Sequence, residues 1–82
     1  SGVFAGLADA QLRRALVEIL RQAEHPWTVD GLAGMAAMSR STFATRFQEV
    51  VGTSPLQFIR EWRMRRAQML LKADVDGPAW TD

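Results

Sequence analysis

Residues 52–55 read Gly-Thr-Ser-Pro, and these four residues constrain the fold more than any others. Glycine accepts the left-handed backbone that closes a helix. Serine offers an oxygen to an orphan N–H of the next helix, and proline fits the first helical position, where no N–H is needed. The quartet therefore ends one helix and begins another with almost nothing between them. Just before it, Phe43, Phe47 and Val50 share one stripe, and Ser39 stands ready as N-cap, so a helix is expected over 40–51. A second stop lies about three residues further back, after Val29, Leu32, Ala33 and Ala36, a helix over 29–36 with Thr28 as its cap. Two short helices joined by so tight a turn make a helix-turn-helix.

The rest of the chain is punctuated in the same way. Asp9 can cap a helix over 9–23, with Leu12, Leu16, Ile19 and Leu20 on one side and Pro26 beyond its end. After Ser54-Pro55 a long basic helix runs over 55–72, with Leu56, Ile59, Trp62, Ala67, Leu70 and Leu71 as its apolar surface. No stretch alternates as a strand would. The expectation is an all-α, homeodomain-like bundle of about four helices with a long C-terminal connecting helix. Its domain spans 9–72, residues 1–8 form a flexible N-terminus, and 73–82 form a loop-like tail containing Gly77-Pro78. Gly31 and Gly34 weaken the 29–36 helix unless they let a neighbouring helix come close.

At 82 residues, with no cysteine, the chain affords one small domain and neither a disulfide framework nor a thiolate metal site. No apolar run reaches the length of a membrane span, and no secretory leader is visible. No membrane partner is expected, and the chemistry suits the cytoplasm. His25 stands alone and reads as a surface residue. No nucleophile is paired with a base, so neither catalysis nor a cofactor is expected. The net charge of +1 conceals an asymmetry: residues 40–72 hold seven Arg and Lys against two Glu, whereas 1–39 sum to −1 and 73–82 to −3. Clustered arginine suits a polyanion or a solvated face.

On a helical wheel with Phe43 at zero, Ala44, Gln48, Ser41 and Thr45 fall at about 100° to 200°, opposite the buried stripe. These side chains are slim, and Glu49 is the only acid on the helix. A slim polar face fits a DNA major groove, while the helix N-terminus and Arg40 suit a phosphate. It equally fits a partner helix in a protein–protein module. Trp27 and Trp62 read as core, Met35 and Met38 as filling near the turn. Trp80 is either docked on the domain or left over from an interface. Arg63 falls close to Ile59 and Leu70 on the wheel, which predicts a structural arginine that caps carbonyls or pairs with an acid.

The run PWTVDGLAGMAAMSRSTFATRFQEVVGTSPLQFIREWRMRRAQMLL, from Pro26 to Leu71, resembles the DNA-binding region of the AraC/XylS family of bacterial transcription activators. Trp27-Thr28, Leu32-Ala33, Met38-Ser39, Phe43, Arg46, Phe47, Gly52, Ser54-Pro55, Arg63, Met64, Ala67 and Leu70-Leu71 carry the likeness. The resemblance implies a sequence-specific regulator that binds double-stranded promoter DNA. The helix over 40–51 would be the recognition helix of a first helix-turn-helix, and the helix over 55–72 a connector to a second. By position, Ser41, Ala44 and Thr45 match base-contacting places, with Gln48 beside them. Thr28, Ser39, Arg40, Arg60 and Arg65 are phosphate candidates. RNA polymerase, met through the full-length protein, and a second copy are further partners to expect. The sequence departs from the family pattern at three places. Ala37 takes the turn position where relatives often carry glycine. The base-facing residues are short. The tail over 73–82 reads as the entry to a second unit that is not there, so a lone unit should bind DNA only at about 10⁻⁴–10⁻⁶ M.

Overall fold

The computed structural model describes residues 2–76, which form five helices: α1 (Val3–Ala8), α2 (Ala10–Arg21), α3 (Val29–Met35), α4 (Arg40–Val51) and α5 (Pro55–Asp76). Among the described residues there is no strand, and no helix is long and apolar enough to cross a membrane.

The helix starts follow their caps. Asp9 Oδ1 accepts from the N–H groups of Gln11 and Leu12 at 3.1 Å each. Thr28 accepts from Gly31 N–H at 3.1 Å, Ser39 from Thr42 N–H at 3.3 Å and Ser54 from Gln57 N–H at 3.3 Å. Each satisfies one or two of the N–H groups that a helix start leaves unbonded. Gly52 closes α4 in the left-handed region at φ 98°. Ala37 does the same after α3, at φ 57°. There the N–H of Ala37 reaches the Gly34 carbonyl at 3.1 Å, and the N–H of Met38 reaches that of Ala33 at 2.9 Å. These two bonds make a Schellman turn built on alanine, and they hold α4 to a fixed departure from α3.

The core draws on every helix but the first: Leu12, Ala15, Leu16 and Ile19 of α2, Leu32 and Ala33 of α3 with Ala36 beyond it, Phe43, Phe47 and Val51 of α4, and Ile59 of α5. Phe43 and Phe47 sit with ring centroids 5.6 Å apart, and Phe58 meets Phe47 edge-on at 5.8 Å. Each fully buried aromatic of this kind contributes roughly 1.5–3 kcal/mol. Trp27 and Trp62 are half-buried against the same core.

Three expectations change. Residues 1–8 were expected to be a flexible terminus, yet Val3–Ala8 are helical, with Val3 and Leu7 packed on the core. Six residues cannot sustain a helix in water, so tertiary contact makes this one. Gly6 is buried where a Cβ would meet the side chains of Leu16 and Val51. Close approach thus belongs to Gly6 and not to Gly34, whose Cβ would face open space. At the other end, α5 continues through residues 73–76, since no breaker precedes Gly77. The rest of the expected tail, including Gly77-Pro78 and Trp80, lies outside the described residues. Finally, only the first part of α5 packs. Ile59 is buried and Trp62 half-buried, whereas Leu56, Met64, Leu70 and Leu71 are exposed.

Candidate nucleic-acid interface

Because Phe43 and Phe47 are fully buried, the rotation of α4 about its axis is fixed. The opposite side is thereby turned outward: Ser41, Thr45 and Gln48 are exposed and Ala44 is half-buried. Among the described residues no side chain encloses the first three. A shallow depression on this side is lined by Ser41, Thr42, Thr45, Arg46 and Glu49. The surface is slim and polar, and suits a groove about one helix wide.

The flanking residues fall into different situations. Arg40, at the first turn of α4, is exposed and lies 3.9 Å from Asp30, an ion pair so open to water that it holds little. Thr28 uses its oxygen as a cap, and among the described residues its hydroxyl donates to no acceptor. Ser39 accepts from Thr42 N–H and donates its own proton to Thr42 Oγ1 at 2.9 Å, so its hydroxyl is already engaged. Arg60 is exposed on α5 and donates to Gln57 Oε1 at 2.7 Å. Arg65 does not join the α4 surface. It lines a separate cleft with Val3, Leu20, Phe58, Glu61 and Trp62.

Two arginines of the basic segment are bound internally. Arg63 donates to backbone carbonyls, in keeping with the structural role read from the wheel. Arg46 donates from Nε and from a terminal nitrogen to Asp9 Oδ2, at 2.9 and 2.7 Å. The Leu12 N–H above all, and then the Arg46 guanidinium, hold the Asp9 carboxyl below its ordinary range, against the opposing effect of its partial burial. Sequence reasoning placed neither Thr42 nor Glu49 on the outer side. Both lie at wheel positions of about 240° to 260° and were discoverable there. The bond between Asp9 and Arg46 joins residues 37 apart and left no local signal.

His25 is exposed and lies against Trp27, with ring centroids 4.2 Å apart and planes tilted by 40°. Among the described residues no group of His, Cys, Asp or Glu is placed to hold a metal ion.

Comparison with known proteins bears on the family of the fold. A family model described as a helix-turn-helix domain matches residues 32–78, more than half the chain. A putative AraC-like transcription regulator of Streptomyces antibioticus is 48% identical over 64 residues, 78% of this chain and 21% of that protein. One from Streptomyces lividans is 44% identical over 72 residues, 88% of this chain and 24% of the relative. The HTH-type transcriptional regulator AlkR of Acinetobacter baylyi is 46% identical over 69 residues, 84% of this chain and 22% of its own length. The chain thus spans about a fifth to a quarter of these relatives. No solved structure matches it significantly.

Proposed function

The chain belongs to the AraC-type helix-turn-helix family, and from that premise we propose that it is a DNA-binding element of a transcription regulator, with α4 as its recognition helix. The observation that carries this reading is the outward side of α4: Ser41, Thr45 and Gln48 stand exposed because Phe43 and Phe47 are locked inward. Placed in a major groove, Ser41 and Thr45 would hydrogen-bond to base edges, Ala44 would touch a thymine methyl, and Gln48 would reach a base or the backbone. Arg40, with its loose partner, and the hydroxyl of Thr28 would meet phosphates, as would Arg60. Arg65 and Ser39 are weaker phosphate candidates, the first because it lines another cleft and the second because its hydroxyl is engaged.

Such an element works without catalysis. Its output would come from holding the rest of a regulator at a promoter, where RNA polymerase is the natural recipient and a second copy a further partner. The cytoplasm is the compartment this requires.

A salt titration tests the proposal. Anisotropy of a labelled promoter duplex should show affinity falling steeply as salt rises. Arg40→Ala should reduce the slope by about one and Thr45→Glu should abolish binding. A duplex that does not bind at low salt points instead to a helical protein–protein module whose slim side packs on a partner helix, and binding that survives Thr45→Glu removes α4 from the groove.

A further inference from the structure

We infer that Asp9 and Arg46 form a positioning pair that fixes the seating of α4 against DNA, and that Arg46 is not itself a phosphate contact. The inference rests on the reading of α4 as the recognition helix. By charge and place Arg46 invites the opposite assignment: it follows Thr45 in the most basic part of the chain and lines the same depression. Its guanidinium is nevertheless committed. Both bonds go to Asp9 Oδ2, at 2.9 and 2.7 Å, while Asp9 Oδ1 is taken up by the N–H groups of Gln11 and Leu12. The Asp9 side chain is only 11% exposed. Drawing Arg46 away to a phosphate would leave Asp9 Oδ2 without its two charge-assisted bonds.

Arg40 supplies the contrast on the same helix. Its partner Asp30 is 3.9 Å away, and the two side chains are 69% and 74% exposed. Water already screens that pair, so exchanging Asp30 for a phosphate costs little. One arginine is free to leave its carboxylate and the other is not.

The mechanical consequence follows from where Asp9 stands. It is the C-cap of α1 and the N-cap of α2, so Arg46 ties the middle of α4 to the junction of two other helices. The phenylalanines set which side faces inward, and the ion pair restrains roll and slide. This matters because Ser41, Ala44 and Thr45 are short. A long side chain can recover contact after a small displacement of its helix; a hydroxyl one bond from Cβ cannot, and must be carried to within about 0.5 Å.

The test uses the intact protein, a duplex selected by it from a randomised pool, and a scrambled duplex of the same length. Asp9→Asn keeps an oxygen for capping but loses the charge; Arg46→Ala removes the other partner. Each should weaken binding to the selected duplex by about tenfold, the loss expected for a charge-assisted bond. The scrambled duplex should be scarcely affected. The double variant should lose no more than either single one, and neither should alter the salt slope, whereas Arg40→Ala should. A slope reduced by Arg46→Ala, or losses that add, would overturn the pairing. A second measurement needs no variant: the Arg46 Nε and Asp9 Cγ NMR resonances should stay in place when duplex is added, and movement of both would mean the bond opens on DNA. If the unaltered protein shows no salt-sensitive binding, the DNA reading itself fails, and this inference with it.

Discussion

The Nε of Arg63 donates to the carbonyl oxygen of Ala23 at 2.5 Å, and the same guanidinium reaches the His25 carbonyl at 2.7 Å. A residue of α5 thus closes the C-terminal end of α2, forty residues away. Helix ends leave carbonyls unbonded, and here other groups share the task. The Gln22 carbonyl accepts from Trp27 Nε1 at 2.8 Å and from the His25 N–H at 3.1 Å.

Arg63→Ala should therefore destabilise the domain through its backbone, with no loss of an ion pair. Two charge-assisted bonds vanish and the carbonyl of the buried Ala23 is left without a donor, at a cost of about 2 kcal/mol. The thermal midpoint should fall by about 10 °C. Arg63→Lys should recover less than half, since an ammonium cannot span both carbonyls as a planar fork does.

Ala37→Gly should stabilise. A left-handed alanine costs about 1–2 kcal/mol relative to one in its preferred region, partly offset by the greater freedom glycine brings to the unfolded chain. A net gain of about 0.5–1 kcal/mol should appear as a higher urea midpoint with unchanged slope. Ala37→Val, with a branched side chain at the same φ, should lower the midpoint.

Two glycines should respond to alanine in opposite ways. At Gly6 the added methyl meets Leu16 and Val51, and overpacking there should cost about 1–3 kcal/mol. At Gly34 it enters open space and should add up to about 1 kcal/mol through helix propensity. Thermal melts of the two variants compare them directly, and the same sign for both would refute the packing described for α1.

Stability should depend on Asp9 in acid. Its native pKa is lowered from the ordinary 3.8, so the unfolded chain takes up the proton first. The contribution of Asp9 is complete above the ordinary value and drains away as pH falls through the lower native one. Urea midpoints measured from neutral pH downward should show a fall that is smaller in Asp9→Asn.

What the sequence disclosed was local. The caps at Asp9, Thr28, Ser39 and Ser54, the left-handed Gly52, and the Phe43–Phe47 stripe each depend on neighbours within four residues, and all could be read from spacing. The bounds of α4 followed from them. Contacts between distant segments stayed hidden. Residues 3–8 lack the length to be helical alone, and the surface that folds them belongs to α2 and α4. Pro26 suggested a helix reaching residue 23, yet α2 ends at Arg21, because the side chains of Trp27 and Arg63 take the carbonyls that further turns would have used. The same limit applies to the candidate interface. Its outward residues were found from periodicity, but periodicity could not show that Arg46 is occupied by Asp9 or that Arg65 lines a different cleft.

The 22 residues of α5, at 1.5 Å each, make a rod of roughly 33 Å, close to one turn of B-form DNA at about 34 Å. The rod begins next to α4 and runs beyond the core, and under the proposed DNA-binding reading it would act as a spacer with a built-in phase. Whatever is fastened to its far end would meet the same side of a duplex one repeat along. Inserting a single residue into its outer half would lengthen it only slightly but swing that end by about 100°. Its length and its angular register are therefore one constraint, and a change harmless to the core could still misalign everything beyond it.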